Sequence, residues 1–127
     1  AEDYLPLRTS DFVGMAGLLR GTLRSSPKRI VVGEVRGEEA LSLLDAWSTG
    51  HGGGCSTVHS NSAVQTLKRL ENMVSRVSLT PQQQTIAEAV DIIVYLRMKG
   101  MRRYVDEIIG VDGYDEVKHC YITHEIL

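Results

Sequence analysis

A run of β-branched residues ending in a glycine and a carboxylate, Ile30-Val31-Val32-Gly33-Glu34-Val35, constrains this chain more than any other segment. Without polar alternation, Arg29 to Val35 reads as a strand buried on both faces, the pattern of a parallel sheet. A helix follows at once, from about Glu38 to Trp47. Ala40, Leu41, Leu44 and Trp47 form its apolar face, and Glu38 and Glu39 stand at the positive end of its dipole. Gly50 to Gly54 must be loop, and Cys55 to Val58 reads as a second short strand that ends at His59. Strand, helix and strand in that order give an α/β class.

The flanking segments supply cover. Ser10 is placed to cap a first helix whose Phe12, Met15, Leu19 and Leu23 recur at helical spacing until Ser25-Ser26-Pro27. Ser62 with Gln65 forms a capping box ahead of Ala63, Leu67, Leu70, Val74 and Val77, and Thr80-Pro81-Gln82-Gln83 repeats the device. The last third is β-rich: Asp91 to Met98, Arg102 to Val111 and Val117 to Ile126 are expected as antiparallel strands. Lys99-Gly100 and Asp112-Gly113 are the expected turns.

With 127 residues, 43% hydrophobic and 24% charged, the chain can bury one core and is expected to be one domain. A net charge of −2 gives no electrostatic reason to expect nucleic acid. Cys55 and Cys120 show no repeated spacing and are expected as reduced thiols. No apolar run reaches the roughly 18 residues of a membrane span, so a cytoplasmic location is expected. The opening at Ala1, without a clear element before Ser10, suggests a piece of a larger protein.

A strand that delivers Glu34 at its C-terminal end sets a carboxylate on the rim where open α/β sheets bind ligands. There it can polarise an attacking water or hold Mg²⁺ through its hydration shell. The structural alternative is a helix cap or a salt bridge to Arg36. The second feature is Thr49-Gly50-His51-Gly52-Gly53-Gly54-Cys55-Ser56-Thr57-Val58-His59, in which the glycines admit an anion and two imidazoles can approach it. A phosphate-binding loop is excluded here, because no lysine lies between Lys28 and Lys68. The four-residue spacing of His51, Cys55 and His59 would suit zinc on a helix, but three consecutive glycines exclude that helix. Arg8, Arg20, Arg24, Lys28 and Arg29 are either solvated or one of them reaches a neighbouring subunit's nucleotide. Arg97, Lys99, Arg102 and Arg103 read as solvated hairpin charges.

Ser26 to Ala40 resembles the Walker B region of type II and type IV secretion ATPases, and Thr49 to Ser62 resembles their histidine box. The pair, one short helix apart, is more specific than either alone. Ala89-Val90-Asp91-Ile92-Ile93-Val94 and Val111-Asp112-Gly113-Tyr114-Asp115 add a likeness to the TrbB-type conjugal transfer ATPases. The resemblance implies that residues 1–127 are the C-terminal portion of a RecA-like P-loop ATPase domain, with core strands, flanking helices and C-terminal antiparallel strands. The N-terminal domain, Walker A loop and aspartate box would precede Ala1. It further implies ATP and Mg²⁺ as the longer protein's ligands, a hexameric ring working with other secretion components, and a place at the cytoplasmic face of the inner membrane. Carried over, Glu34 is the catalytic Walker B carboxylate, His51 and His59 sense the γ-phosphate, and Arg36 takes a structural or intersubunit role. Without a P-loop, the chain alone is expected not to hydrolyse ATP usefully. The alternatives are a pilus-assembly or type II secretion ATPase fragment, or a non-enzymatic oligomerisation or docking module.

Overall fold

The computed structural model describes residues 3–127. Among the described residues, four helices and five strands follow one another: α1 (Met15–Leu23), β1 (Val31–Val32), α2 (Glu39–Ser48), β2 (Cys55–Ser56), α3 (Ala63–Val74), α4 (Gln83–Ala89), β3 (Ile92–Lys99), β4 (Arg102–Asp115) and β5 (Cys120–Glu125). β1 and β2 form a parallel pair, with Val31 opposite Cys55 and Val32 opposite Ser56. The last three strands form a separate antiparallel sheet in the order β3-β4-β5. The expected α/β class with a C-terminal antiparallel sheet is what the chain adopts.

The core lies between the helices and the two sheets. Leu43 and Leu44 of α2, Leu67 and Met73 of α3 and Ile86 of α4 are the largest fully buried side chains. Val32 and Val35 enter it from β1 and its continuation, and Ile93 and Ile109 from the antiparallel sheet. Each such residue stabilises the fold by about 1.5–3 kcal/mol through apolar area removed from water. α3 packs on β3 and β4, and α2 contacts α1, α3 and α4, so α2 links the parallel pair to the rest. Trp47 Nε1–H donates to Ile30 O at 3.1 Å and ties the end of α2 to the start of β1.

Helix boundaries differ from expectation where local hydrogen bonds compete with the helix. Ser10 Oγ accepts from the N–H groups of Phe12 and Val13, which makes a turn, and α1 starts only after Gly14. Phe12 is consequently exposed and not on the apolar face. Ser62 does cap α3, accepting from Gln65 N–H at 3.2 Å. The second capping box does not form: α4 follows Gln82, and Thr80 makes no cap. The regular part of the first strand is also shorter than Arg29 to Val35, being Val31–Val32 alone. Asp112-Gly113 is no turn but a bulge inside β4, where the register shifts between Val111 and Gly113 and Asp112 pairs with His124. The turn comes later, at residues 116–119, with His119 at φ 54°.

One glycine is dictated by packing. A Cβ at Gly54 would collide with Ile30 O and the Trp47 indole nitrogen, the acceptor and donor that join α2 to β1. Gly54→Ala should therefore lower stability by about 1–3 kcal/mol through overpacking. A denaturant titration of the two proteins measures it, and an unchanged midpoint would contradict this packing.

Candidate functional site

The parallel ladder decides which side chains meet. Beyond the two paired residues it continues irregularly: Val35 N–H donates to Thr57 O at 2.9 Å, and Thr57 Oγ1–H donates to Gly33 O at 2.6 Å. Glu34 is thus held between two residues pinned to Thr57. From the other side, the buried Glu39 carboxylate accepts from Arg36 N–H at 2.7 Å and from Gly37 N–H at 3.3 Å. A backbone fixed at 33, 35, 36 and 37 leaves the Glu34 side chain little freedom of direction.

Glu34 meets two cationic or proton-bearing groups. Its Oε2 accepts from Arg36 Nη2 at 2.6 Å, and its Oε1 lies 3.2 Å from His59 Nε2. The carboxylate is one-quarter exposed, whereas the Arg36 and His59 side chains are almost wholly in solvent. The Arg36 hydrogen bond, reinforced by the charges of Arg36 and His59, holds the Glu34 carboxyl below the ordinary glutamate range against the opposing effect of burial. Arg36 is raised in turn by the same contact. Glu34 and His59 follow the C-terminal ends of β1 and β2, so parallel pairing brings them to one rim.

His51 stands elsewhere. Gly50 adopts φ 103° after α2, and His51 N–H bonds back to Ala46 O at 3.2 Å, closing the helix with a Schellman-type turn. The imidazole Nδ1 then lies 2.9 Å from Pro27 O, before β1 begins. Gly53 next abuts the Arg29 side chain and Gly54 the Ile30 carbonyl, so the two segments run side by side from 27 and 51 onward. His51 therefore occupies the N-terminal end of the strand pair and His59 the C-terminal end. The two rings, expected together, do not converge.

Two contributors escaped the sequence. Glu39 reads there as a helix-dipole partner, and its spacing of three from Arg36 was the available signal for a backward-reaching cap. Thr57 sits inside the histidine-rich segment, and nothing in the sequence marks its hydroxyl as the strand latch. A cleft of about 400 Å³ opens between the start of α1 and Glu38–Glu39, but Glu34 and His59 are not among its walls. No group of three metal-ligating side chains exists among the described residues.

The family described as Type II/IV secretion system protein matches residues 7–104. The conjugal transfer protein TrbB of Rhizobium radiobacter is 50% identical, over 90% of this chain and 35% of its own length. A probable conjugal transfer protein TrbB of Sinorhizobium fredii is 46% identical, over 98% of this chain and 40% of its own length. Among solved structures, the VirB11 ATPase from the Brucella suis type IV secretion system, in complex with sulphate, superposes with a TM-score of 0.69 at 31% identity. The match covers 76% of this chain and 31% of that one. The Legionella pneumophila ATPase DotB shares the fold, with a TM-score of 0.62. The chain thus spans two-fifths or less of the curated relatives named.

The pinned rim gives two expectations. Since the folded-state Glu34 value is depressed, its pairing is fully present above the unfolded glutamate value and is lost as pH falls through the folded one. An NMR titration should place the Glu34 carboxyl midpoint below that of other exposed glutamates, and Arg36→Ala should move it upward; no movement would remove Arg36 as the cause. Glu39→Ala strips the acceptor from two backbone N–H groups and should cost about 1–3 kcal/mol in thermal or denaturant unfolding.

Proposed function

Because the chain belongs to the type II/IV secretion system protein family, we propose that residues 1–127 form the C-terminal portion of a RecA-like motor domain whose ATP hydrolysis powers conjugal DNA transfer or type IV secretion. The observation that carries this reading is the Glu34–His59 pair on the rim of a parallel strand pair, supported by the likeness to TrbB over most of the chain.

In this reading ATP supplies the phosphoryl group, bound with Mg²⁺ by a longer protein that also bears a phosphate loop. The residues here fit the hydrolytic side of such a site: one ionised carboxylate, one imidazole, one guanidinium. They do not fit the phosphate cradle, since the sequence has no Gly-Lys-Ser/Thr. Glu34, kept ionised by Arg36, orients the attacking water and takes its proton. His59, whose Nε2 lies against the other carboxylate oxygen, Oε1, stands where charge develops on a terminal phosphate. Arg36, being solvent-exposed, is free to exchange its Glu34 contact for one across a subunit boundary. His51 acts on the fold, fastening the loop after α2 to the residue before β1.

The longer protein is proposed to work as a homo-oligomeric ring, a hexamer, with other secretion components at the cytoplasmic face of the inner membrane. No helix among the described residues is long and apolar enough to cross a membrane. A non-enzymatic docking module is the rival reading, and the exposed Val31 on the short parallel pair is the observation that favours it.

Turnover decides between them. Joined to its P-loop segment, the chain with Glu34→Gln should bind ATP as before while kcat falls by roughly 10²–10⁴-fold. His59→Ala should lower kcat, whereas His51→Ala should lower the unfolding midpoint more than kcat. Steady ATP hydrolysis by the isolated 127 residues, abolished by Glu34→Gln, would refute the requirement for a separate phosphate cradle.

A further inference from the structure

The two segments of the parallel pair do not keep step. Val31 stands opposite Cys55 and Val32 opposite Ser56, and the same register carried forward would set Val35 N–H against the carbonyl of Val58. It bonds instead to Thr57 O, at 2.9 Å. Between Val32 and Val35 the first segment has therefore gained one residue on the second, as in a β-bulge. Burial records the same event independently. Ile30 and Val32 are buried and Val31 between them is 67% exposed, the alternation of a pleated strand. Gly33 is then exposed and the Glu34 side chain one-quarter exposed, and it is Val35 that next enters the core. Strict alternation from Val32 would have turned Glu34 inward and Val35 outward.

The extra residue decides which group Glu34 meets. On the second segment Thr57 and His59 are exposed, and Val58 between them packs against the core. Opposed side chains of neighbouring strands lie on the same face of a sheet, so an unbroken register would set Glu34 beside Val58 and leave His59 on the other face. A shift of one residue turns the carboxylate over, and Glu34 Oε1 comes to 3.2 Å from His59 Nε2. Thr57 holds that shift on both sides of Glu34. Its carbonyl accepts from Val35 N–H, and its hydroxyl donates to Gly33 O at 2.6 Å. The bonds of Arg36 and Glu39 stay between residues 34 and 39 and set no register.

We propose that Thr57 is a positioning residue for the hydrolytic carboxylate: its hydroxyl holds the one-residue bulge of the first segment and so keeps Glu34 on the face of His59. Thr57 makes and breaks no bond of the substrate. The proposal rests on the reading of Glu34 as the group that orients the attacking water. Loss of the hydroxyl therefore acts on the chemical step and not on nucleotide affinity, because a misdirected base costs rate at unchanged binding.

Thr57→Val removes the hydroxyl at nearly constant shape, and Thr57→Ser keeps it. In the 127-residue chain, the nuclear Overhauser effect between the Glu34 γ-methylene and the His59 ring protons should be present in wild type and Thr57→Ser and lost in Thr57→Val, with the core resonances of Leu43 and Ile86 unmoved. In the chain joined to its P-loop segment, Thr57→Val should lower kcat on the order of 100-fold at unchanged KM for ATP, and Thr57→Ser should turn over close to wild type. Should the valine variant not fold, Thr57→Ala, which sets no methyl against the Gly33 carbonyl, gives the same two readings. A Glu34–His59 contact as strong in Thr57→Val as in wild type overturns the proposal whatever the turnover, and so does a loss of kcat that serine does not restore. Loss of the contact with turnover intact would instead overturn the catalytic reading of Glu34, and with it the use of the latch.

Discussion

Everything at the rim depends on β1 and β2 running in the same direction. A parallel pair gathers the residues after each strand at one end and the residues before each at the other. Glu34 and His59 come after their strands, and Pro27 and His51 come before theirs. An antiparallel pairing of the same residues would have put the carboxylate beside His51. The direction is set by α2, which returns the chain to the start of the sheet and is fixed there by Trp47 on the Ile30 carbonyl.

The contacts among Glu34, Arg36 and His59 do little for stability. Ion pairs with one partner in solvent are screened and add little, and both Arg36 and His59 are highly exposed. The carboxylate is fixed by less conspicuous means: the Thr57 latch and the buried Glu39, each made of hydrogen bonds to backbone. The division is chemically sensible. The two groups that touch the carboxylate stay in water, whereas the backbone on either side of it is held by hydrogen bonds.

The sequence revealed element types better than their ends. The strand-helix-strand order, the Ser62 cap and the three final strands come from patterns that operate within a few residues. The misplaced boundaries arose where a side chain found a partner that the local pattern did not show. Ser10 made a turn instead of a cap, and Asp112 bonded His124 across a bulge instead of closing a hairpin. For the site, Glu34 and its Arg36 neighbour were legible because strand periodicity and a spacing of two place them. The separation of His51 from His59 was not, since a histidine pair in one loop reads as a unit until the loop is traced along a strand. Glu39 was hidden by its double meaning, a carboxylate in the first helical turn serving equally as dipole partner and as cap.

The parallel ladder itself is only two residue pairs long, while β4 runs for fourteen residues and is paired on both sides. Opening of the first releases few hydrogen bonds, and opening of the second many. Amide protons around Val32 and Ser56 therefore lie at the low-protection end of this molecule, and those of Ile93 and Ile109 at the high end. The rim that carries Glu34 and His59 thus rests on the shorter of the two ladders, and local opening there leaves the long antiparallel sheet paired.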